Sequence, residues 1–235
     1  MNDFSPEILF SFVNYVHAPL FDDCEYAWDA LPLIGKYLST LKLGRIDSEI
    51  PESSILVNRN QITIEKGCTI EPGVYIKGPC YIGRGSEVRF GAYIRGNFIA
   101  GTDCVIGHGT EIKNSIFFNR THAAHFAYVG DSILGSDVNL GAGTKLANLK
   151  LRRDEVWVKH KGSELKTGLR KFGAILGDGA QTGCNSVTNP GTVMGVGAAS
   201  YPCANISGFV PAKHLFNHER NLIPIRDNHT GKLEV

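Results

Sequence analysis

IEKGCTIEPGVYIKGPCYIGRGSEVRFGAYI, residues 64–94, carries an aliphatic side chain at every sixth position: Ile64, Ile70, Ile76, Ile82, Val88 and Ile94. The beat continues through Ala100, Ile106 and Ile112. Four places after most of these sits something small or modest: Cys68, Val74, Cys80, Ser86, Ala92, Cys104, Thr110. An amphipathic helix spaces apolar residues three and four apart, and a half-buried strand spaces them by two. A period of six fits neither and is the signature of a β-helix. Each short strand cannot bury its own apolar side, so coils stack and share one continuous core. The small partner residues and the 27 glycines let the chain turn between flat faces.

The beat returns at Leu134, Leu140 and Leu146, and again at Leu176, Thr182, Thr188, Met194, Ser200 and Ile206. Between the first two stretches stands THAAHFAYVGDS, residues 121–132, where it fails and two histidines, a phenylalanine and a tyrosine crowd together. Extended backwards, the later frame puts His122 and Tyr128 at aliphatic positions, which suits neither. Residues 117–131 are therefore expected to leave the coil as a loop.

Around this repeat the 235 residues divide into a helical N-terminal cap over the first coil (1–54), a β-helix (55–208) with an inserted arm (150–171), and an irregular or helical tail (209–235). Segments 5–16 and 27–43 read as helices, with Pro19 and Pro32 as punctuation. The arm holds eight Lys/Arg against three acids and is expected to form a β-hairpin reaching out from the β-helix. A net charge of +1 argues against general nucleic-acid binding. No apolar run approaches the roughly 18 residues that span a bilayer, and MNDFSPEILF lacks a basic leader, so a cytoplasmic location is expected. The six cysteines contain no CxxC pair or metal-ligand cluster and read as reduced thiols.

If one coil takes eighteen residues, outward positions eighteen apart lie above one another. Lys77, Arg95 and Lys113 would then form a column of cations, unfavourable without a counter-charge. A bound phosphate beside the histidine-rich segment would supply one. Glu111 shares a face with Lys113 two residues on. Asn139 and Asn148 are outward in the later frame.

HFAYVGDSILGSDVNLGAGTKLANLKL, residues 125–151, resembles the acetyltransferase domain of bacterial N-acetylglucosamine-1-phosphate uridyltransferase. It is closer still to the C-terminal half of archaeal-type sugar-1-phosphate nucleotidyltransferases that also acetylate amino-sugar phosphates. H-x-x-Y-x-G-D, V-N-x-G-A-G-T and A-N stand at the family spacing, and weaker likeness runs from about Ile62 to Ile206. The resemblance implies three hexads per coil, a left-handed triangular prism, a homotrimer with a site shared between subunits, and acetyl-CoA as cosubstrate. His125 then matches the base that deprotonates the amine of glucosamine 1-phosphate, and Glu111 the carboxylate that orients it. Arg95, Lys113 and Tyr128 match the phosphate side, with Arg89 in VRFGA as a rival to Arg95. Asn139 and Asn148 match the sugar and amine contacts, and Lys171 a lysine near the substrate. Ala142 matches a main-chain N–H facing the acetyl carbonyl. Cys184, Tyr201 and Pro202 fall where the family contacts CoA.

The chemistry suits these types. A neutral imidazole, with a pKa near 6.5, can take a proton from an ammonium, and donors fixed at an oxyanion contribute about 3–4 kcal/mol. The Gly-rich nucleotide loop of the uridyltransferase half has no counterpart here, so no nucleotidyl transfer is expected. YAWDALPLIGKYL, residues 26–38, resembles the segment that joins the two halves. One alternative keeps the fold as an inactive scaffold or regulatory partner of a separate nucleotidyltransferase. Another is zinc chemistry on His108, His122 and His125, for which the spacing is poor, and no metal is expected.

Overall fold

The computed structural model describes residues 2–160 and 162–225. Its backbone runs round three parallel sheets, B, A and C in turn, whose strands are two to four residues long. Sheet B runs from Ile55–Val57 to Asn205–Ile206, and sheet A from Ile62–Ile64 to Phe209–Val210. Sheet C begins at Thr69–Ile70 and ends on His214–Phe216 and the antiparallel Leu222–Pro224. This is a left-handed β-helix of about nine turns, as the resemblance implies. The hexad aliphatics point inward and form a single core in which Ile64, Ile76, Ile82, Val88 and Ile94 are fully buried.

The repeat does not break at residues 117–131; it changes phase. Strands Ser115–Phe117, His122–His125 and Tyr128–Gly130 continue the coil, with Phe117, Ala123 and Val129 fully buried in the core. The expected loop is absent because two corners between sheets B and A are each one residue shorter than a hexad allows. Asn114 (φ 44°) and Asp131 (φ 49°) make these tight corners in the left-handed region, where Asn and Asp are tolerated best among residues with a Cβ. Pairing accordingly moves from eighteen residues, Tyr93 with Glu111, to seventeen, Glu111 with Tyr128. A shift of one exchanges the faces of a strand, so His122 and Tyr128 point outward.

Of the expected cap, residues 45–54 meet the first coil without forming a helix, Ile46 bridging to Ile64 and Ile50 packing on the core. The residues before them do not cap it. They lie along the outer face of sheet A, where Ile99, Ile116, Ile133, Ile175 and Val193 form a second core with Phe4, Leu9, Trp28, Leu31 and Leu38. Each buried aliphatic of this column contributes about 2 kcal/mol. The helix expected over 5–16 shrinks to the single turn Pro6–Leu9, because Phe10, Tyr15 and Phe21 all turn onto Phe118. The second helical segment forms as a 3₁₀ stretch, Ala27–Leu33, running into the helix Ile34–Thr40.

The arm is a hairpin, Trp157–His160 with Ser163–Lys166, but it folds back instead of reaching out. Val156 and Val158 are fully buried on the same sheet A face, and His160 Nε2 lies 2.7 Å from Asp3 Oδ2. The tail is neither helical nor irregular up to residue 225. Phe209–Val210 and His214–Phe216 continue sheets A and C, after a shorter corner that pairs Met194 with Val210 sixteen residues on. The rest of that expected tail, 226–235, lies outside the described residues.

Candidate active site

Where sheet C turns into sheet B, the chain stacks one corner residue per coil. His125 is in register with His108 below it. Above it, Gly143 N donates to His125 O (2.9 Å), Asn185 N to Ala142 O (2.7 Å) and Cys203 N to Cys184 O (2.7 Å). The registers of the adjoining strands carry this edge on to Pro202. His108, His125, Ala142, Cys184 and Pro202 thus rise along one line. The residue after each takes the left-handed turn, and at Phe126 (φ 51°) a bulky side chain does so where Gly109 and Gly143 serve in neighbouring coils.

His125 is exposed, and its imidazole has no hydrogen-bond partner among the described residues. His108 is committed: its Nδ1 donates to Phe90 O (2.9 Å), and its ring lies between those of Phe90 and Phe126. The half-buried Ala142 N–H has no acceptor among the described residues. A free imidazole and a free main-chain donor therefore sit one coil apart on this edge.

The neighbouring face, sheet B, carries the predicted column of Lys77, Arg95 and Lys113 in register. Two of its three members take counter-charges from the protein itself, which removes the reason given for a phosphate at those two. Arg95 Nη1 meets Glu111 Oε1 at 2.7 Å, and Lys113 Nζ meets Asp131 Oδ2 at 2.6 Å. Asp131 is 5% exposed and also accepts from Asn114 Nδ2 (3.0 Å) and Asn148 Nδ2. Tyr128 OH lies 3.4 Å from Asn148 Oδ1, over Gly130, where a Cβ would come within 2.7 Å of both side chains. Burial first, then Glu111 and Asp131, raise the Tyr128 hydroxyl above its ordinary pKa. Phe172 N donates to Asn148 O, which sets the exposed Lys171 beside this cluster.

Lys113, Tyr128, Asn148 and Lys171 therefore gather on one side of sheet B, with Arg95 and Glu111 next to them. Two expected relations differ. Glu111 is bonded to Arg95 and not to His125. Asn139 sits on sheet C, in register with His122 and Gln181. Arg89 is on sheet C too, bonded to Glu87 (2.7 Å), which leaves Arg95 as the arginine beneath Lys113. Tyr201, near the edge on sheet C, stacks on His218 at 5.6 Å. Asp131 escaped sequence reasoning, although it stands in the quoted YVGDS; only the shortened corner reveals it as the residue opposite Lys113. Among the described residues no three His, Cys, Asp or Glu side chains converge as a metal site, and no helix is long and apolar enough to cross a membrane.

Short parallel strands in a three-sided stack, with an unengaged histidine on one edge, define a hexapeptide-repeat β-helix protein. Residues 76–199, more than half of the chain, match the family described as the GMPPB C-terminal domain, and the chain belongs to that family. It is 40% identical over 149 residues to a bifunctional sugar-1-phosphate nucleotidylyltransferase/acetyltransferase of Sulfurisphaera tokodaii, covering 63% of this chain and 37% of the relative. It is 37% identical over 174 residues to the bifunctional protein GlmU of Methanococcus vannielii, covering 74% of this chain and 41% of the relative. The chain spans about two fifths of the length of these curated relatives. Among solved structures, the Francisella novicida UDP-N-acetylglucosamine acyltransferase is similar over 74% of this chain and 66% of its own, at 15% identity and a TM-score of 0.47.

Proposed function

We propose that this protein transfers an acetyl group from acetyl-CoA to the amine of an amino-sugar 1-phosphate such as glucosamine 1-phosphate. The supporting observation is the edge itself: an exposed, unpartnered His125 one coil from the unpartnered N–H of Ala142. The name of the Sulfurisphaera tokodaii relative, a sugar-1-phosphate nucleotidylyltransferase/acetyltransferase, points to the same chemistry.

In this reading His125 removes a proton from the substrate ammonium, and the freed amine attacks the thioester carbonyl. The C–N bond forms as the carbonyl electrons move to oxygen, and Ala142 N–H donates to that oxyanion. Collapse breaks the C–S bond, and the imidazolium gives its proton to the departing thiolate. The neutral imidazole then takes the remaining extra proton from the new amide nitrogen and passes it to solvent. CoA lies along the line through Cys184 and Pro202, near Tyr201. Lys113, Tyr128, Asn148 and Lys171 hold the sugar phosphate. Arg95 exchanges Glu111 for the phosphate, and the released carboxylate is then free to orient His125. Asn139 faces away on sheet C, so it serves a site completed by a second copy, as in a homotrimer.

Acetyl-CoA and glucosamine 1-phosphate are mixed with the protein, and thiol release is followed with a disulfide dye. The expected result is turnover that falls at least a thousandfold in His125→Ala. The scaffold reading has one observation in its favour, the engagement of Glu111 by Arg95. A wild type indistinguishable from His125→Ala would establish it instead.

A further inference from the structure

On sheet B the outward residues below the proposed substrate cluster form a column of rings beside a column of cations. Beneath Glu111 stand Tyr93, Tyr75 and Ile55 in register, and two residues further along each coil stand Arg95 and Lys77. Tyr93 is 43% exposed and Tyr75 half-buried. Their rings meet edge-on at 5.1 Å, and Arg95 Cζ lies 6.0 Å from the centre of the Tyr93 ring. The core behind them is already filled by Ile76 and Ile94, so these rings take no part in it.

Lys77 is the member of the cation column that the protein leaves unpaired. Arg95 is taken by Glu111 and Lys113 by Asp131, whereas the exposed Lys77 ammonium has no hydrogen-bond or ion-pair partner among the described residues. Strands of neighbouring coils lie about 4.8 Å apart, so Lys77 stands two steps, roughly 10 Å, below the level of Lys113. One phosphate held by Lys113 and Arg95 does not also reach it. A second phosphate joined to the first does, and the same direction leads on to Tyr93 and Tyr75. An exposed aromatic face takes a nucleobase by stacking, and a neighbouring cation takes its phosphate.

We propose that the amino sugar enters joined to a nucleoside diphosphate. Its sugar-linked phosphate lies at Lys113 and Arg95, the second phosphate between Arg95 and Lys77, and the base on the rings of Tyr93 and Tyr75. The assignment rests on the acetylation reading and names the form in which the sugar is presented. The transfer is unaltered: the C–N bond forms at the sugar amine, the thioester C–S bond breaks, and the diphosphate stays intact. Lys77 and Tyr93 thus select the substrate and stand apart from the chemistry.

The test gives the whole chain acetyl-CoA with either uridine 5′-diphosphoglucosamine or glucosamine 1-phosphate, follows thiol release, and titrates uridine 5′-diphosphate by calorimetry. The nucleotide sugar is expected to show a kcat/KM at least tenfold above that of the sugar phosphate, and uridine 5′-diphosphate to bind saturably. Lys77→Ala and Tyr93→Ala should each lower kcat/KM for the nucleotide sugar at least fivefold and leave glucosamine 1-phosphate within twofold. Both side chains are exposed, so both variants should melt as wild type does. If Tyr93→Ala fails to fold, Tyr93→Leu keeps the bulk without a stacking face and takes its place. Turnover of glucosamine 1-phosphate with no preference for the nucleotide sugar overturns this inference and leaves the acetylation reading standing. No turnover of either sugar, with uridine 5′-diphosphate bound by wild type and at least fivefold more weakly by Lys77→Ala, overturns the acetylation reading and supports the nucleotide site. Absence of both turnover and binding overturns the two together.

Discussion

Asp131 Oδ2 lies 2.6 Å from Lys113 Nζ, across the step from one coil to the next, with both side chains largely shielded from water. The same carboxylate takes hydrogen bonds from Asn114 and Asn148. One acid thus fixes three side chains, two of which belong to the proposed substrate face. Asp131→Ala leaves a shielded ammonium unpaired and should cost about 3–5 kcal/mol in denaturant unfolding. Asp131→Asn keeps the left-handed corner and should cost less. In the acetylation assay both should raise KM for the sugar phosphate more than for acetyl-CoA.

The Arg95–Glu111 pair makes a separate prediction. If Arg95 leaves Glu111 to meet a phosphate, Arg95→Ala should raise KM for the sugar phosphate at least tenfold. Glu111→Gln should act mainly on kcat, and should move the acidic limb of the pH–rate profile that reports His125. A Glu111→Gln enzyme with an unaltered profile would show that this carboxylate never reaches the imidazole.

Gly107 tests the geometry of the edge. A Cβ there would sit 1.6 Å from the carbonyl oxygen of Ala124, the residue before His125. The backbone would have to move, so Gly107→Ala should lower stability by about 1–3 kcal/mol and lower activity with it. A variant that melts like wild type would refute this packing of the His108 and His125 coils.

His17 sets a pH dependence. Its folded pKa, about 4, lies below the ordinary 6.5, so between these values the unfolded chain binds the extra proton. Stability is then complete above pH 6.5 and falls with the pH down to about 4, by about 3 kcal/mol in total. His17→Phe should flatten this part of the stability curve, measured by urea unfolding at pH 4.5 and 7.

Much of the architecture was legible because the inward aliphatics from Ile64 to Ile112 keep one phase, and a period of six has few structural explanations. What stayed hidden depended on corner length. Asn114 and Asp131 each close a corner with one residue fewer, and nothing local in the sequence announces a missing residue. A frame carried across that gap assigned His122 and Tyr128 to the core and turned an ordinary coil into a loop. The same kind of shortening hid the strands after Phe209. Among site residues, His125, Ala142 and Cys184 share one edge because residues a fixed coil apart stay in line, whereas Asn139 of the same motif lies on sheet C. Partnerships were harder to foresee: Arg95 with Glu111 and Lys113 with Asp131 depend on where long side chains settle.

The covering of sheet A has a geometric corollary. Ile99, Ile116, Ile133, Ile175 and Val193 are spent on the chain's own N-terminal residues and hairpin, so one flank of the triangle is closed to company. Any copy that docks edgewise must meet the two bare flanks, and these are the ones that border His125. Crowding of subunits is thereby directed toward the corner that carries His125.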